Sequence, residues 1–307
     1  MNYNLKKKIL ITGVYGFIGF SLFKKLKKKN IVFGIGNKKE EFIKNYKNLT
    51  NNKITFRNLT KLKFKPDIII NCAGSSSVSF SNNFPKKDYE NNVGTIVELI
   101  KFTKTLSPKT KIINISSAAV YGERKNKNSF NCNPISNYGR NKLKAENLLK
   151  FYSNKKLFKS INLRIFSIYG EGLKKQLLWD ACNKILHKKY IFHGSGKEIR
   201  SWINIKDAIR FIVNSEKITS YDCPAVDISG NNFLTNFKIL KILFKFFKIK
   251  KNPKFLRINK KGDPFYQIAN TNKIKEMGWK EKISINEGIL SYIKWFKKCK
   301  KILKINI

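Results

Sequence analysis

Apolar positions in the first half of the chain fall into short solid runs separated by stretches of helical spacing. Residues 7–12 (KKILIT), 30–36 (NIVFGIG), 53–58 (KITFRN), 66–74 (PDIIINCAG), 111–117 (KIINISS) and 160–166 (SINLRIF) each read as a strand. Residues 17–29, 89–106 and 137–153 place their apolar side chains three and four apart and read as helices. Strands that alternate with helices predict parallel βαβ units and a doubly wound sheet, an α/β Rossmann-type fold. Beyond residue 169 the alternation loosens. Helical patterns over 177–189, 236–249 and 283–304 are joined by short segments, which predicts a smaller C-terminal lobe for substrate. The expected division is 1–169 for the sheet domain and 170–307 mainly for the lobe, with some segments returning to the sheet.

The first turn carries the first chemical signal. ITGVYGFIG, residues 11–19, sets Gly13, Gly16 and Gly19 at intervals of three between a strand and a helix. Such a turn needs a residue tolerant of positive φ, and a pyrophosphate that approaches the backbone excludes side chains. The setting points to a dinucleotide. The second strand then ends at Gly36, where a ribose-binding fold places an acid, and runs into Asn37, Lys38 and Lys39. A missing carboxylate beside two cations leans toward the 2′-phosphate of NADP, with NAD left open.

YGRNK sets Tyr138 and Lys142 four apart, on one face of a helix. An ammonium beside a phenol is expected to lower its pKa and ready it for proton exchange with a substrate hydroxyl or ketone. Ser116 and Ser117 end the fifth strand, where Ser117 could hydrogen-bond the reacting oxygen. His187 and His193 have no metal spacing, and no metal is expected.

The chain has 307 residues and a hydrophobic content of 42%, enough for a sizeable core. Its five cysteines form no CxxC pair, and neither a signal peptide nor a spanning helix is evident, so a reduced cytoplasmic protein is expected. A formal charge of +45 raises nucleic acid as a partner, yet the lysines are spread over the whole chain. That spread fits compositional drift, and no specific nucleic-acid partner is expected. The basic, aromatic C-terminal stretch SYIKWFKKCKKILKINI offers a weak case for contact with an anionic membrane. A terminal helix packed through Trp295 is the simpler reading.

TGVYGFIG, SAAVYG and YGRNK together resemble the extended short-chain dehydrogenase/reductase family, in its nucleotide-sugar epimerase, dehydratase and ketoreductase branch. NCAGSSSVSFSN, ENNVGT, LRIFSIYGEG, GSGKEIRSWINIKDAI, KKGDP and MGWKEKISINEGI resemble further landmarks of that branch in order, over nearly the whole chain. The resemblance implies a catalytic set of Ser117, Tyr138 and Lys142. It implies cofactor contacts from Gly13, Tyr15, Gly16, Phe17, Ile18, Asn37, Lys38, Asn58, Leu59, Cys72, Ala73, Gly74 and Asn92, and from Tyr138 and Lys142 as well. Substrate contacts are implied for Ser76, Ser117, Ser167, Arg200 and Lys260, the last two toward a diphosphate. Where the 4,6-dehydratases carry Asp-Glu after the serine, this chain has Ala118 and Ala119, which cannot act as acid or base. The implied enzyme transfers hydride at sugar C4 of a nucleotide-diphospho-sugar, as an epimerase or a 4-ketoreductase, and forms a homodimer. A non-catalytic NAD(P)H- or nucleic-acid-binding protein on the same fold stands as the alternative.

Overall fold

The computed structural model describes residues 6–36, 56–258 and 262–302. Its elements begin with β1 (Lys8–Thr12), α1 (Phe17–Leu26), β2 (Ile31–Ile35), β3 (Ile68–Asn71), α2 (Val78–Asn83), α3 (Pro85–Tyr89) and α4 (Thr95–Thr103). They continue with β4 (Lys111–Ser117), α5 (Asn137–Asn154), β5 (Lys159–Ile165), β6 (Ser167–Tyr169), α6 (Gln176–Leu186), β7 (Ile191–Phe192), β8 (Ile199–Asn204) and α7 (Ile205–Asn214). The last are β9 (Ala225–Ile228), β10 (Phe233–Thr235), α8 (Asn236–Phe246), β11 (Lys254–Phe255), β12 (Tyr266–Gln267), α9 (Asn272–Glu276) and α10 (Ile285–Ile302). The chain divides into two compact units interleaved in sequence. The first takes residues 1–120, 132–164 and 209–226, the second 121–131, 165–208 and 227–307.

The main sheet runs in the order β2-β1-β3-β4-β5-β9, and β1 pairs in parallel with both β2 and β3, as does β3 with β4. The chain leaves β1 for one neighbour and returns on the other side, so the strand order reverses beside β1. In open α/β sheets that reversal opens a crevice at the C-terminal strand ends. All four residues of β3, IIIN, are buried, as a parallel strand covered on both faces requires. On α1, Gly19, Leu22, Phe23 and Leu26 are the buried residues, one stripe of a 3.6-residue helix. Burial of a side chain such as Leu22 or Phe23 contributes about 1.5–3 kcal/mol.

A polar ladder crosses this apolar sheet. Thr12 Oγ1 donates to Asn71 Oδ1 at 2.6 Å, Asn71 Nδ2 to Asn114 Oδ1 at 2.8 Å, and Asn114 Nδ2 to Asn162 Oδ1 at 2.7 Å. Asn162 Nδ2 completes the row on Cys223 Sγ at 3.2 Å. Thr12, Asn71 and Asn114 are direct partners in strand register. Each buried amide therefore finds its partner on the next strand, which removes the cost of leaving it unpaired.

The strand expected over residues 53–58 is not found. Phe56–Lys61 form a tight 3-10 turn instead, and residues 53–55 lie outside the described ones. Leu59 is fully buried there in a cluster with Leu10, Ile69 and Leu99, and Leu62 N closes the turn on Leu59 O at 3.0 Å. Anchoring Leu59 in the core requires the chain to curl at this point, and a turn meets that need where an edge strand would not.

The second unit centres on β8, flanked by β10 and β12, with β6 also paired to it. Asp227 ties it together by accepting from Tyr121 and the buried Arg124 guanidinium. Asp207 accepts the backbone N–H groups of Lys282 and Ile283 at 3.0 and 2.9 Å. Along α10, Ile289, Tyr292, Ile293 and Phe296 are buried, and Trp179 packs on Trp295 and Phe296. The apolar face of this basic helix is thus spent on its own unit. Among the described residues no helix is long and apolar enough to cross a membrane.

Candidate active site and cofactor cradle

The glycine turn follows β1 and sits against the segment after β3. Gly13 has φ +65°, and a Cβ there would lie 2.6 Å from the Cys72 carbonyl oxygen and 2.7 Å from the Ala73 nitrogen. A Cβ on Gly19 would lie 2.3 Å from Gly13 O, so α1 can approach the turn only without a side chain. Gly16 is the N-cap of α1, and no side chain caps that end. The first N–H groups of α1, at Phe17 and Ile18, and the positive end of the helix dipole suit a phosphate. The residues present therefore fit a dinucleotide: glycines hold the turn tight against backbone and leave the uncapped N-terminus of α1 bare of side chains.

A Cβ at Gly36 would lie 2.8 Å from the Tyr15 ring. A side chain at Gly36 would require the Tyr15 ring to shift. Asn37 and Lys38, on which the lean toward NADP also rested, lie outside the described residues. Asn58 belongs to the turn after the described gap, and the Leu59 side chain is in the core, so only its backbone can serve a cofactor.

The proposed catalytic side chains share the first unit with this cradle. Ser117 ends β4, while Tyr138 and Lys142 sit on α5. Ser136 caps α5 by accepting from Gly139 N at 3.1 Å, and Ser81 Oγ accepts from Tyr138 N at 3.1 Å. Gly139 permits the approach to the Ser117 turn: a Cβ there would lie 2.3 Å from Ala119 O. Ala119 N in turn donates to Ser117 Oγ at 3.2 Å. The Tyr138 and Ser117 hydroxyls are within hydrogen-bonding reach of each other.

The expected lowering of the Tyr138 pKa by Lys142 is not what the structure shows. Burial pushes the Tyr138 phenol up to about 12, the Ser117 hydroxyl pulls it down, and the Asp88 charge pushes it up again. Lys142 is itself lowered to about 8, first by burial, against the opposing charges of Asp88, Cys72 and Glu146. Its ammonium donates to the Ile115 carbonyl at 3.2 Å and stands 3.2 Å from the point a Cβ on Gly74 would occupy. Desolvation, which disfavours charge on both groups, is the largest cause of each shift.

Residues 9–215 match the NAD dependent epimerase/dehydratase family. The chain belongs to that family. Its membership places it in the nucleotide-sugar branch of the extended short-chain dehydrogenases. It is 28% identical, over 95% of this chain and 82% of the other, to a dTDP-D-glucose 4,6-dehydratase of Dictyostelium discoideum. A UDP-glucuronate 4-epimerase of Thermodesulfobacterium geofontis is 24% identical over 96% of this chain and 98% of its own. The crystal structure of a UDP-glucuronic acid 4-epimerase from Bacillus cereus, in complex with UDP-glucuronic acid and NAD, superposes with a TM-score of 0.85 at 24% identity, covering 95% and 99% of the two chains. This epimerase/dehydratase fold is a mostly parallel central sheet flanked by helices. The compared structure holds NAD, and nothing supports a preference for NADP.

Other expected contacts fall as follows. Gly74 and Ser76 are exposed and Cys72 and Ala73 half-buried beside the turn, while burial keeps the Cys72 thiol at about 12. Asn92 is buried, with its Oδ1 unpaired and 2.6 Å from the Gly74 Cβ point. Ser167 opens β6 in the second unit, and Lys260 lies outside the described residues. Arg200 is buried, and its guanidinium donates to the carbonyls of Ile199 and Phe265 at 3.0 Å, to Pro264 O and to Asp263. Binding a diphosphate would require exchange of those bonds. Among the described residues no three metal-capable side chains cluster. Sequence reasoning missed Asp88 and Asn141, both buried beside Lys142, and Gly139, whose one signal was the glycine inside YGRNK.

Proposed function

We propose that this chain is an NAD-dependent UDP-sugar 4-epimerase. The observation that carries the proposal is the grouping of Ser117, Tyr138 and Lys142 in the unit that holds the glycine cradle, at the C-terminal side of the sheet. The likeness to 4-epimerases over both whole chains supports the reaction and the uridine nucleotide. NAD held in the cradle would supply reversible hydride acceptance at C4. Tyr138 would take the C4 hydroxyl proton through its phenolate and return it to the same oxygen once C4 has inverted. Ser117 would hold the C4 oxygen by hydrogen bonding, and Lys142 would supply the cation that supports the phenolate. Ala118 and Ala119, at the positions after Ser117, support inversion over loss of water, since neither side chain can move a proton.

Within the same proposal Ser76 contacts substrate, and the chain forms a homodimer. The exposed Phe84, Tyr89 and Val97 support a self-associating face on the first unit. Light scattering tests the dimer. The test of the reaction is Tyr138→Phe, which should reduce turnover of a UDP-sugar by about 10²-fold or more while NAD still binds. Turnover unchanged in that variant would overturn the mechanism. Consumption of NADPH dependent on a keto-sugar, without epimer formation, would replace it with a reductase.

A further inference from the structure

Asp88 ends in the interior of the first unit, fully buried on α3. Its carboxylate accepts from Asn92 Nδ2 at 3.1 Å on one oxygen and from Asn141 Nδ2 at 2.7 Å on the other. Asn92 Nδ2 also reaches the Asp88 carbonyl at 3.1 Å, and Asp88 N donates to Phe84 O at 2.9 Å. Both amide partners are neutral. Among the described residues no cation lies within ion-pair distance of Asp88. A buried carboxylate without a positive charge nearby costs several kcal/mol.

Lys142 is the complementary case, a buried ammonium that donates to the Ile115 carbonyl on β4. The groups that face it are Asp88 from α3, Cys72 beyond β3, and Glu146 and Tyr138 on its own helix. Glu146 is neutralised by the Arg164 guanidinium from β5, which holds both its oxygens at 2.7–3.1 Å. Burial pushes the Cys72 thiol and the Tyr138 phenol up, each to about 12. Asp88 is therefore the uncompensated anion that faces Lys142. Asn92 stands between them. Its nitrogen is on Asp88, and its unpaired oxygen and the Lys142 ammonium converge on the same point over Gly74, 2.6 and 3.2 Å away.

We propose that Asp88 is a positioning residue for Lys142: its carboxylate, clamped by Asn92 and Asn141, keeps the lysine charged beside the cofactor cradle. The inference rests on the epimerase reading only for what the charged lysine is used for. The sign follows from the charges. Burial brings Lys142 down to about 8, and Asp88 opposes that fall. Without Asp88 the lysine loses its proton at a lower pH.

The test labels lysine at Cε with carbon-13 and follows the Lys142 resonance, identified by its loss in Lys142→Arg, through a pH titration. In Asp88→Asn the midpoint should fall by about one pH unit or more, and Asp88→Glu should restore it. An unchanged midpoint in folded Asp88→Asn would overturn the proposal. Should that variant fail to fold, the unaltered protein decides. Its Lys142 midpoint should lie near 8 and hold in about 1 M salt, because buried charges are screened little. A midpoint at the ordinary lysine value would overturn the proposal. The alkaline limb of kcat/KM for a UDP-sugar should move down by the same interval as the resonance. A shifted resonance with no UDP-sugar turned over by any of the proteins would sustain the role of Asp88 and remove the epimerase reading.

Discussion

Replacement of Asn114 by alanine tests whether the amide ladder holds the sheet that carries the site. Asn114 is central: its oxygen accepts from Asn71 at 2.8 Å and its amide donates to Asn162 at 2.7 Å. Asn114→Ala leaves a donor on Asn71 and an acceptor on Asn162 unpaired, and both residues are 2% exposed, so water does not readily replace the lost partner. Each orphaned buried group costs about 1–3 kcal/mol, which gives a loss of about 2–6 kcal/mol. The consequence for the site is direct, because Thr12 precedes Gly13 and Asn114 lies three residues before Ser117. Native-state hydrogen exchange on the amides of β1, β3 and β4 reads the loss strand by strand. Ser79→Ala, at an exposed position, is the control and should change stability by less than about 0.5 kcal/mol. A loss below about 1 kcal/mol for Asn114→Ala would refute the ladder as a structural tie.

Three other outcomes are expected. Gly139→Ala places a Cβ 2.3 Å from the Ala119 carbonyl, moves Tyr138 away from the Ser117 turn, and should lower kcat about tenfold or more while NAD affinity measured by calorimetry is kept. Gly94→Ala meets nothing within 4 Å at a helical φ of −56°, so it should stabilise the protein by about 0.5–1 kcal/mol in urea unfolding. Lys142 is charged below about 8 and neutral above it, so kcat/KM should decline as pH rises through that value, and a flat alkaline profile would contradict its role.

The glycine turn was legible because its chemistry is local. A strand, three glycines and a helix leave few other uses for Gly13 and Gly19, and their close approaches to backbone are the physical reason for them. The triple isoleucine of β3 announced a buried parallel strand in the same way. Tyr138 and Lys142 were legible as a pair on one helix face, but their protonation was not, since burial comes from elements distant in sequence. Asp88 lies in PKKDYENN, where every charge reads as solvated. Its burial exists only once α3 docks on α5. Gly36 carried a cofactor reading from its missing side chain alone, while its nearest neighbour in the fold is the Tyr15 ring. Leu59 was expected at the cofactor, because nothing local shows that the core captures its side chain.

The central claim is inversion at C4 by removal and return of one hydrogen. The purified protein, supplied with NAD, is incubated in deuterated water with UDP-glucuronate, UDP-glucose and UDP-N-acetylglucosamine in turn, and the sugars are resolved by proton NMR and mass. The account predicts the C4 epimer of at least one substrate, with unchanged mass and no deuterium at C4. Deuterium at C4, a product lighter by one water, or no epimer from any of the three would contradict it.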